Sequence, residues 1–232
     1  MDDSSGAEPV APGAGVLLLH GISRSAISMH LIERALRAEG YAVLNLTYNS
    51  RRQSLEDIAA AVAPKVAEFA AGLSGPLHVI THSMGGLVAR VLLAQDRPFR
   101  PTNLGRVVML APPNSGSEIA DLLQGNWFYR QWFGPAGAQL VTRRDAHLRR
   151  LLGRTDFELG IIAGTRSIYP VASLLLPHPS DGRVSVKATR DARAADHIAL
   201  PVSHPLIVLD RRAIAQTLAF LRDGRFERNK PA

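Results

Sequence analysis

The chain contains no cysteine, which excludes disulfide staples and thiolate-bound zinc together. Lysine is scarce as well: only Lys65, Lys187 and Lys230 occur, so nearly all of the net charge of +7 comes from arginine. No aromatic-interleaved basic motif accompanies that charge, and no nucleic-acid partner is expected. Long apolar runs are also missing. The longest, such as residues 16–19 and 171–176, fall far short of the roughly 20 residues a bilayer demands. Residues 1–14 are acidic, small and rich in proline and glycine. They lack the basic start and apolar stretch of a secretory signal, so a flexible N-terminus and a cytoplasmic location are expected. No Gly-Lys-Ser/Thr phosphate loop occurs, and Gly13 and Gly15 precede an apolar run rather than follow it. No histidine or carboxylate spacing suggests a metal. A protein without cofactor or metal is therefore expected.

What the chain does have is alternation. At 232 residues it suits one domain, expected over residues 15–228. Residues 15–20 form an unbroken apolar run ending in His-Gly, as a strand buried on both faces does. Helical periodicity over residues 27–39 stops at Gly40. Residues 41–48 read as a second strand. Ser54 is a fitting N-cap, and Glu56 and Asp57 favour the first turn of a helix running to about residue 71. Pro64 inside it predicts a kink or a split. Strands are expected at residues 77–81, 106–110, 157–163 and 198–200, and helices at residues 85–94 and 207–222. This predicts an α/β fold: a doubly wound, mainly parallel sheet of about six strands. Residues just beyond the C-terminal ends of such strands form the site.

One of those ends carries chemistry. Residues 77–89 read as strand, one tight turn, then helix, with Ser83 at the turn, an elbow that lifts a serine above the sheet edge. The positions two before and two after must be small; Gly85 meets this, whereas Thr81 stands where glycine is usual. The helix that follows points its positive end at the site, and the Met84 N–H is placed to hold an oxyanion. By itself the motif also fits an ordinary turn in which Ser83 caps a helix.

The pieces Leu-Leu-Leu-His-Gly-Ile (17–22), Thr-His-Ser-Met-Gly-Gly-Leu-Val-Ala-Arg (81–90), Ala-Pro-Pro-Asn-Ser-Gly-Ser-Glu (111–118), Ser-Asp-Gly-Arg-Val-Ser-Val (180–186) and Leu-Pro-Val-Ser-His (200–204) together resemble the α/β-hydrolase superfamily. The likeness is to small serine hydrolases of the lipase and esterase type, in a minimal form lacking the first two strands. It implies Ile22 N–H as a second oxyanion donor, with Gly21 letting the backbone approach the substrate and His20 beside it.

A serine hydroxyl needs a base, and the fold's chain order is serine, acid, histidine. Of the histidines after Ser83, His204 follows the last short strand, where the fold delivers this residue. His197 begins that strand and faces the wrong edge. Asp181 follows the strand at residues 157–163 across a long loop and is the expected acid, although Pro-Ser-Asp-Gly is also a good turn sequence. Asp156 precedes its strand and so faces the opposite edge, Asp191 and Asp196 lie further along and are weaker, and after the strand ending at residue 110 only Asn114 and Glu118 are within reach.

A cap-like insertion is expected at about residues 114–155. Trp127, Phe128 and Trp132 crowd within it and suit an apolar acyl chain, or equally anchor a helix pair to the core. Residues 168–176 form a second apolar loop. Arg143, Arg144, Arg149, Arg150 and Arg154 alternate with leucines and fit a solvated helix face, with weak attachment to an anionic membrane surface as the alternative. The expected activity is hydrolysis of a small-molecule carboxylic ester. A thioesterase or acyltransferase with the same three residues, and a non-catalytic binding protein on this fold, stand as alternatives.

Overall fold

The computed structural model describes residues 11–97, 100–123, 125, 127–169 and 176–228, and the backbone alone of residues 123, 128–130 and 132. Six strands form one sheet: β1 (Gly15–Leu19), β2 (Ala42–Leu46), β3 (Leu77–His82), β4 (Leu104–Leu110), β5 (Leu159–Gly164) and β6 (Asp196–Leu200). The order is β2-β1-β3-β4-β5-β6, and every neighbouring pair is parallel. All strand C-termini therefore meet one edge.

Alternation within each strand divides the core in two. Val16, Leu18, Ile80, Val108, Leu110 and Ile162 face one layer, with α1 (His30–Ala38) and a C-terminal helix, Arg211–Asp223. Leu17, Leu19, Val79, Val107, Met109 and Ile161 face the other, with α2 (Leu55–Ala71) and α3 (Gly85–Leu92). Both faces being covered, β1, β3 and β5 are buried throughout; β1 and β5 read as continuous apolar runs, whereas β3 buries His78, Thr81 and His82 as well. Each leucine or isoleucine so buried contributes about 1.5–3 kcal/mol. Gly160 lets Phe220 lie flat on the sheet, since a Cβ there would stand 2.7 Å from the ring.

Several local signals resolve differently from their sequence reading. The segment expected as one helix at 27–39 is a 3-10 turn, Ala26–Met29, followed by α1, with Gly40 just beyond in the left-handed region (φ 91°). α2 opens with a reciprocal capping box between Ser54 and Asp57, and it runs as one helix through Pro64 without splitting. The missing hydrogen bond falls on Ala60, which like Pro64 is exposed, so water can serve the orphaned carbonyl. The last helix starts four residues later than expected because Asp210 caps it, accepting from Arg212 and Ala213 N–H.

Residues 114–155 carry α4 (Glu118–Leu123), α5 (Trp127–Ala138) and α6 (Ala146–Leu152). α5 is broken by Gly134 (φ 61°) ahead of Pro135. Asp145 caps α6, whose Leu148, Leu151 and Leu152 are buried while Arg149 and Arg150 are exposed. Arg144 does not belong to that face. It is half-buried and donates to the Pro113 and Asn114 carbonyls, and burial lowers its pKa to about 10. A short α7 (Val186–Thr189) precedes β6, and the capped C-terminal helix Arg211–Asp223 is α8. Residues 1–10 of the flexible start expected at 1–14, and most of the apolar loop, residues 170–175, lie outside the described residues. Among the described residues no helix is long and apolar enough to cross a membrane.

Candidate active site

Ser83 stands between β3 and α3 with φ 54°, a left-handed conformation that a non-glycine residue rarely adopts. The strain is sustained by its surroundings. Ser83 N–H donates to Leu110 O (2.8 Å), and Gly86 N–H returns to Ser83 O (2.9 Å). Gly85 has no alternative, since a Cβ there would lie 2.4 Å from Leu19 O. Thr81, where glycine was expected, is fully buried and fits because Gly86 leaves the space above it.

Asp181 and His204 arrive from the far side of the sheet. β5 ends at Gly164, where a Cβ would lie 2.5 Å from Val202 O and 2.7 Å from Asp181 Cβ. Its absence lets the acid loop settle on the strand end. Asp181 then forms a tight turn: its Oδ1 accepts from Arg183 N–H (2.9 Å) and Val184 N–H (2.8 Å). The turn sequence and the free carboxylate oxygen are thus two uses of one side chain. Oδ2 accepts from His204 Nδ1 at 2.7 Å, and His204 Nε2 accepts from the Ser83 hydroxyl at 2.9 Å. The main chain adds a second tie, His204 N–H to Asp181 O at 3.1 Å. All three residues are buried, Asp181 completely. An ionised carboxylate only accepts, so Nδ1 carries the proton and Nε2 presents its lone pair to the hydroxyl.

His197 and the other carboxylates lie elsewhere. His197 Nε2 meets Thr189 Oγ1 (2.9 Å), and burial lowers its pKa. Asp156 pairs with Arg100, Asp191 accepts from Thr155, and Asp196 holds Arg228. Asn114 donates to Thr189 O, and Glu118 accepts from Ser185.

Ile22 and Met84 stand at the ends of β1 and β3. Among the described residues neither main-chain N–H has an acceptor, and Met84 begins α3 without a side-chain cap. Gly21 packs against both partners of the elbow, since a Cβ there would lie 3.1 Å from His82 Nδ1 and 3.2 Å from Ser83 Cβ. His20, expected beside the substrate, is fully buried. Its Nδ1 donates to Gly21 O (2.8 Å), and its ring stacks on Tyr48 with centroids 4.0 Å apart. The Tyr48 hydroxyl donates to His20 O. Trp127 is 66% exposed on α5. The side chains of Phe128 and Trp132 lie outside the described residues.

Three residues were given no role by sequence reasoning. His82, inside the serine motif, donates from Nε2 to His204 O (3.1 Å), and burial holds its pKa well below the usual imidazole range. A neutral ring therefore braces the backbone of His204. Ser50 accepts from Ser23 N–H (2.9 Å), fixing the loop that carries Ile22, and Tyr48 supports the same loop. Both follow β2, and that position at the C-terminal edge was their signal.

This sheet, with its strand-turn-helix elbow, is the α/β-hydrolase fold, and solved structures of that fold superpose on it. The mature form of the lipase BlEst2 from Bacillus licheniformis matches with a TM-score of 0.76 at 20% identity, over 95% of this chain and 96% of that one. The metagenomic carboxyl esterase MGS0156 matches with a TM-score of 0.66 at 17% identity, over 85% and 66%. The thioesterase RedJ from the prodiginine pathway of Streptomyces coelicolor matches with a TM-score of 0.59 at 13% identity, over 97% and 90%. No curated protein matches the sequence. The chain belongs to the family described as a domain of unknown function (DUF7379), whose model matches residues 2–128.

Proposed function

We propose that this protein hydrolyses carboxylic esters through an acyl-serine. The observation that carries the reading is the unbroken hydrogen-bond chain Ser83–His204–Asp181, with links of 2.9 and 2.7 Å. Ser83 Oγ attacks the ester carbonyl carbon while its proton passes to His204 Nε2. Asp181 orients the ring and stabilises the imidazolium. The tetrahedral oxyanion is held by the Ile22 and Met84 N–H groups, each worth about a hundredfold in rate or more. Collapse expels the alcohol, which takes the proton from Nε2. Water then repeats the sequence in reverse roles and releases the acid.

The substrate is a small-molecule ester with an apolar acyl portion. Exposed Leu122, Trp127, Ile168 and Leu206 favour that class, all on segments that follow the C-terminal ends of β4, β5 and β6. The triad does not encode the leaving group, and the likeness to a thioesterase makes acyl thioesters the second substrate to assay.

The test is covalent labelling by a fluorophosphonate together with hydrolysis of 4-nitrophenyl esters of increasing chain length, with Ser83→Ala in parallel. Labelling and turnover that vanish in the variant support the proposal. A folded protein that neither labels nor turns over ester or thioester overturns it.

A further inference from the structure

At the opposite edge of the sheet from Ser83 lies a cleft of about 780 Å³, formed where β3, β4 and β5 begin and where α8 ends. His78 lines it and stands near the start of β3, whereas Ser83 follows the end of that strand. At a rise of about 3.3 Å per residue, about 16 Å of extended chain separates the two. The cleft is therefore a second place, apart from the residues assigned to ester chemistry.

Its charges do not cancel. Two of its arginines are matched. Arg100 Nη1 donates to both oxygens of Asp156 (3.0 and 2.8 Å). Arg106 Nε donates to Glu158 (3.0 Å), and its Nη1 donates to the Leu221 and Arg222 carbonyls. Asp156 and Glu158 are the only acids that line the cleft among the described residues. The third arginine, Arg97, has no acceptor for its guanidinium among the described residues, and its Nε is buried. Asp96, beside it in the chain, does not line the cleft. A charged donor withdrawn from water without an acceptor is costly, and an anion in the cleft relieves that cost.

Two neutral donors accompany Arg97. His78 Nδ1 accepts from Arg106 N–H (2.9 Å), so in the neutral ring Nε2 carries the proton, and it has no acceptor among the described residues. Burial, reinforced by the Arg106 charge, keeps that ring neutral by lowering its pKa to about 4. Gly105 makes room for it, since a Cβ there would lie 2.8 Å from His78 Nδ1. Tyr41 also lines the cleft and meets His78 edge-on, with ring centroids 6.0 Å apart. Burial keeps its hydroxyl protonated, and that hydroxyl has no partner among the described residues. Leu104 and Phe157 add an apolar wall.

We propose that this cleft binds a small-molecule oxyanion, a phosphate or carboxylate, carried on an apolar body. Arg97 supplies the charge-assisted donor, and the His78 Nε2–H and the Tyr41 hydroxyl supply neutral ones. Leu104 and Phe157 receive the body. Asp156 and Glu158 stay with their own arginines, so their charge does not turn the anion away. The site stands whatever reaction Ser83 performs.

The experiment is calorimetric titration of the full chain with phenyl phosphate and with benzoate, which separate a phosphate ligand from a carboxylate. Titration at two temperatures keeps a vanishing enthalpy at one of them from hiding binding. The expected result is saturable binding of at least one anion, weakened roughly tenfold or more in Arg97→Met. That side chain makes no hydrogen bond among the described residues, so its loss leaves the bonds of the fold in place. Tyr41→Phe keeps the ring and is expected to weaken binding about fivefold. Arg149→Met removes an exposed arginine of α6 and is expected to leave binding unchanged. Circular dichroism reports that each variant is folded. No saturable binding of either anion up to about 10 mM overturns the proposal. So does binding that Arg97→Met leaves unmoved, or that Arg149→Met weakens equally.

Discussion

Thr81 and Gly86 share one small space beneath the serine elbow: a Cβ on Gly86 would stand 3.4 Å from Thr81 Oγ1 and 3.0 Å from Pro112 Cβ. The glycine expected two residues before Ser83 is absent, and the room it would have left comes from three residues after. Gly86→Ala is therefore expected to destabilise the fold by about 1–3 kcal/mol through overpacking. Thr81→Ala in the same background recovers part of that loss, because Pro112 remains the nearer obstacle. Urea unfolding of the single and double variants measures both; additive losses would refute the shared space.

The hydroxyl of Thr81 is itself buried without a partner among the described residues. Burying an unpaired hydroxyl costs about 1–3 kcal/mol. The isosteric Thr81→Val is expected to leave stability equal or higher, read from the same urea midpoints. A clear loss would mean that the hydroxyl has an acceptor.

Ser83→Ala and His204→Ala are each expected to reduce kcat for ester hydrolysis on the order of a millionfold, and Asp181→Asn on the order of ten-thousandfold. The last variant keeps the Arg183 and Val184 main-chain bonds to Oδ1 when its amide nitrogen faces His204. It thus isolates the charge and tautomer at His204 from the loop's shape. Circular dichroism and stopped assays at saturating ester separate fold from rate; an Asp181→Asn enzyme within tenfold of wild type would remove Asp181 from the proposed mechanism.

Gly21→Ala drives a methyl to 3.1 Å from His82 Nδ1 and 3.2 Å from Ser83 Cβ. Those atoms cannot retreat without moving the elbow or the Ile22 loop. Displacement of the proposed oxyanion donors, Ile22 and Met84 N–H, by a fraction of an ångström is expected to cost about a hundredfold in kcat. Fluorophosphonate labelling should slow with it, and the urea midpoint should fall by an overpacking loss of about 1–3 kcal/mol, as for Gly86→Ala.

Acid should weaken the fold well above the carboxylate range. His78 is buried, its Nδ1 accepts from Arg106 N–H, and burial reinforced by the Arg106 charge lowers its pKa to about 4. Unfolded, it titrates near 6.5. Between those values the unfolded chain binds a proton that the folded chain refuses, so stability falls as pH drops from about 6.5 to about 4 and then levels for this group. The contribution is roughly 3 kcal/mol. Burial also lowers His20, His82 and His197, with the same sign. Urea unfolding at pH 7 and pH 4.5 should show the drop, with His78→Asn flattening part of it; an unchanged slope would refute this account.

Much of the site was legible from local pattern. Apolar runs of strand length, the caps at Ser54 and Gly40, and a serine between a strand and a helix are signals within a few residues, because hydrophobic period and turn chemistry act over that range. They marked all six strands, the sheet edge and Ser83. Asp181 and His204 were reachable through chain order, a property of the resembled superfamily and not of their own neighbours.

The remainder lies in contacts between segments far apart in the chain. Asp181 could be a turn residue or an acid by sequence; the packing of its loop on Gly164 leaves one oxygen for the turn and one for His204. His82 braces a residue 122 positions away. Ser50 steadies a loop 27 positions earlier, and Arg144 leaves the solvated face that its neighbours suggested to bond the Asn114 carbonyl. Sequence alone thus determined the order of elements, the parallel sheet and the elbow, because each follows from the preference of a short segment. Only the tertiary structure decided which buried donors meet which acceptors, because a polar group withdrawn from water must find its partner wherever the packed layers bring one within hydrogen-bond reach.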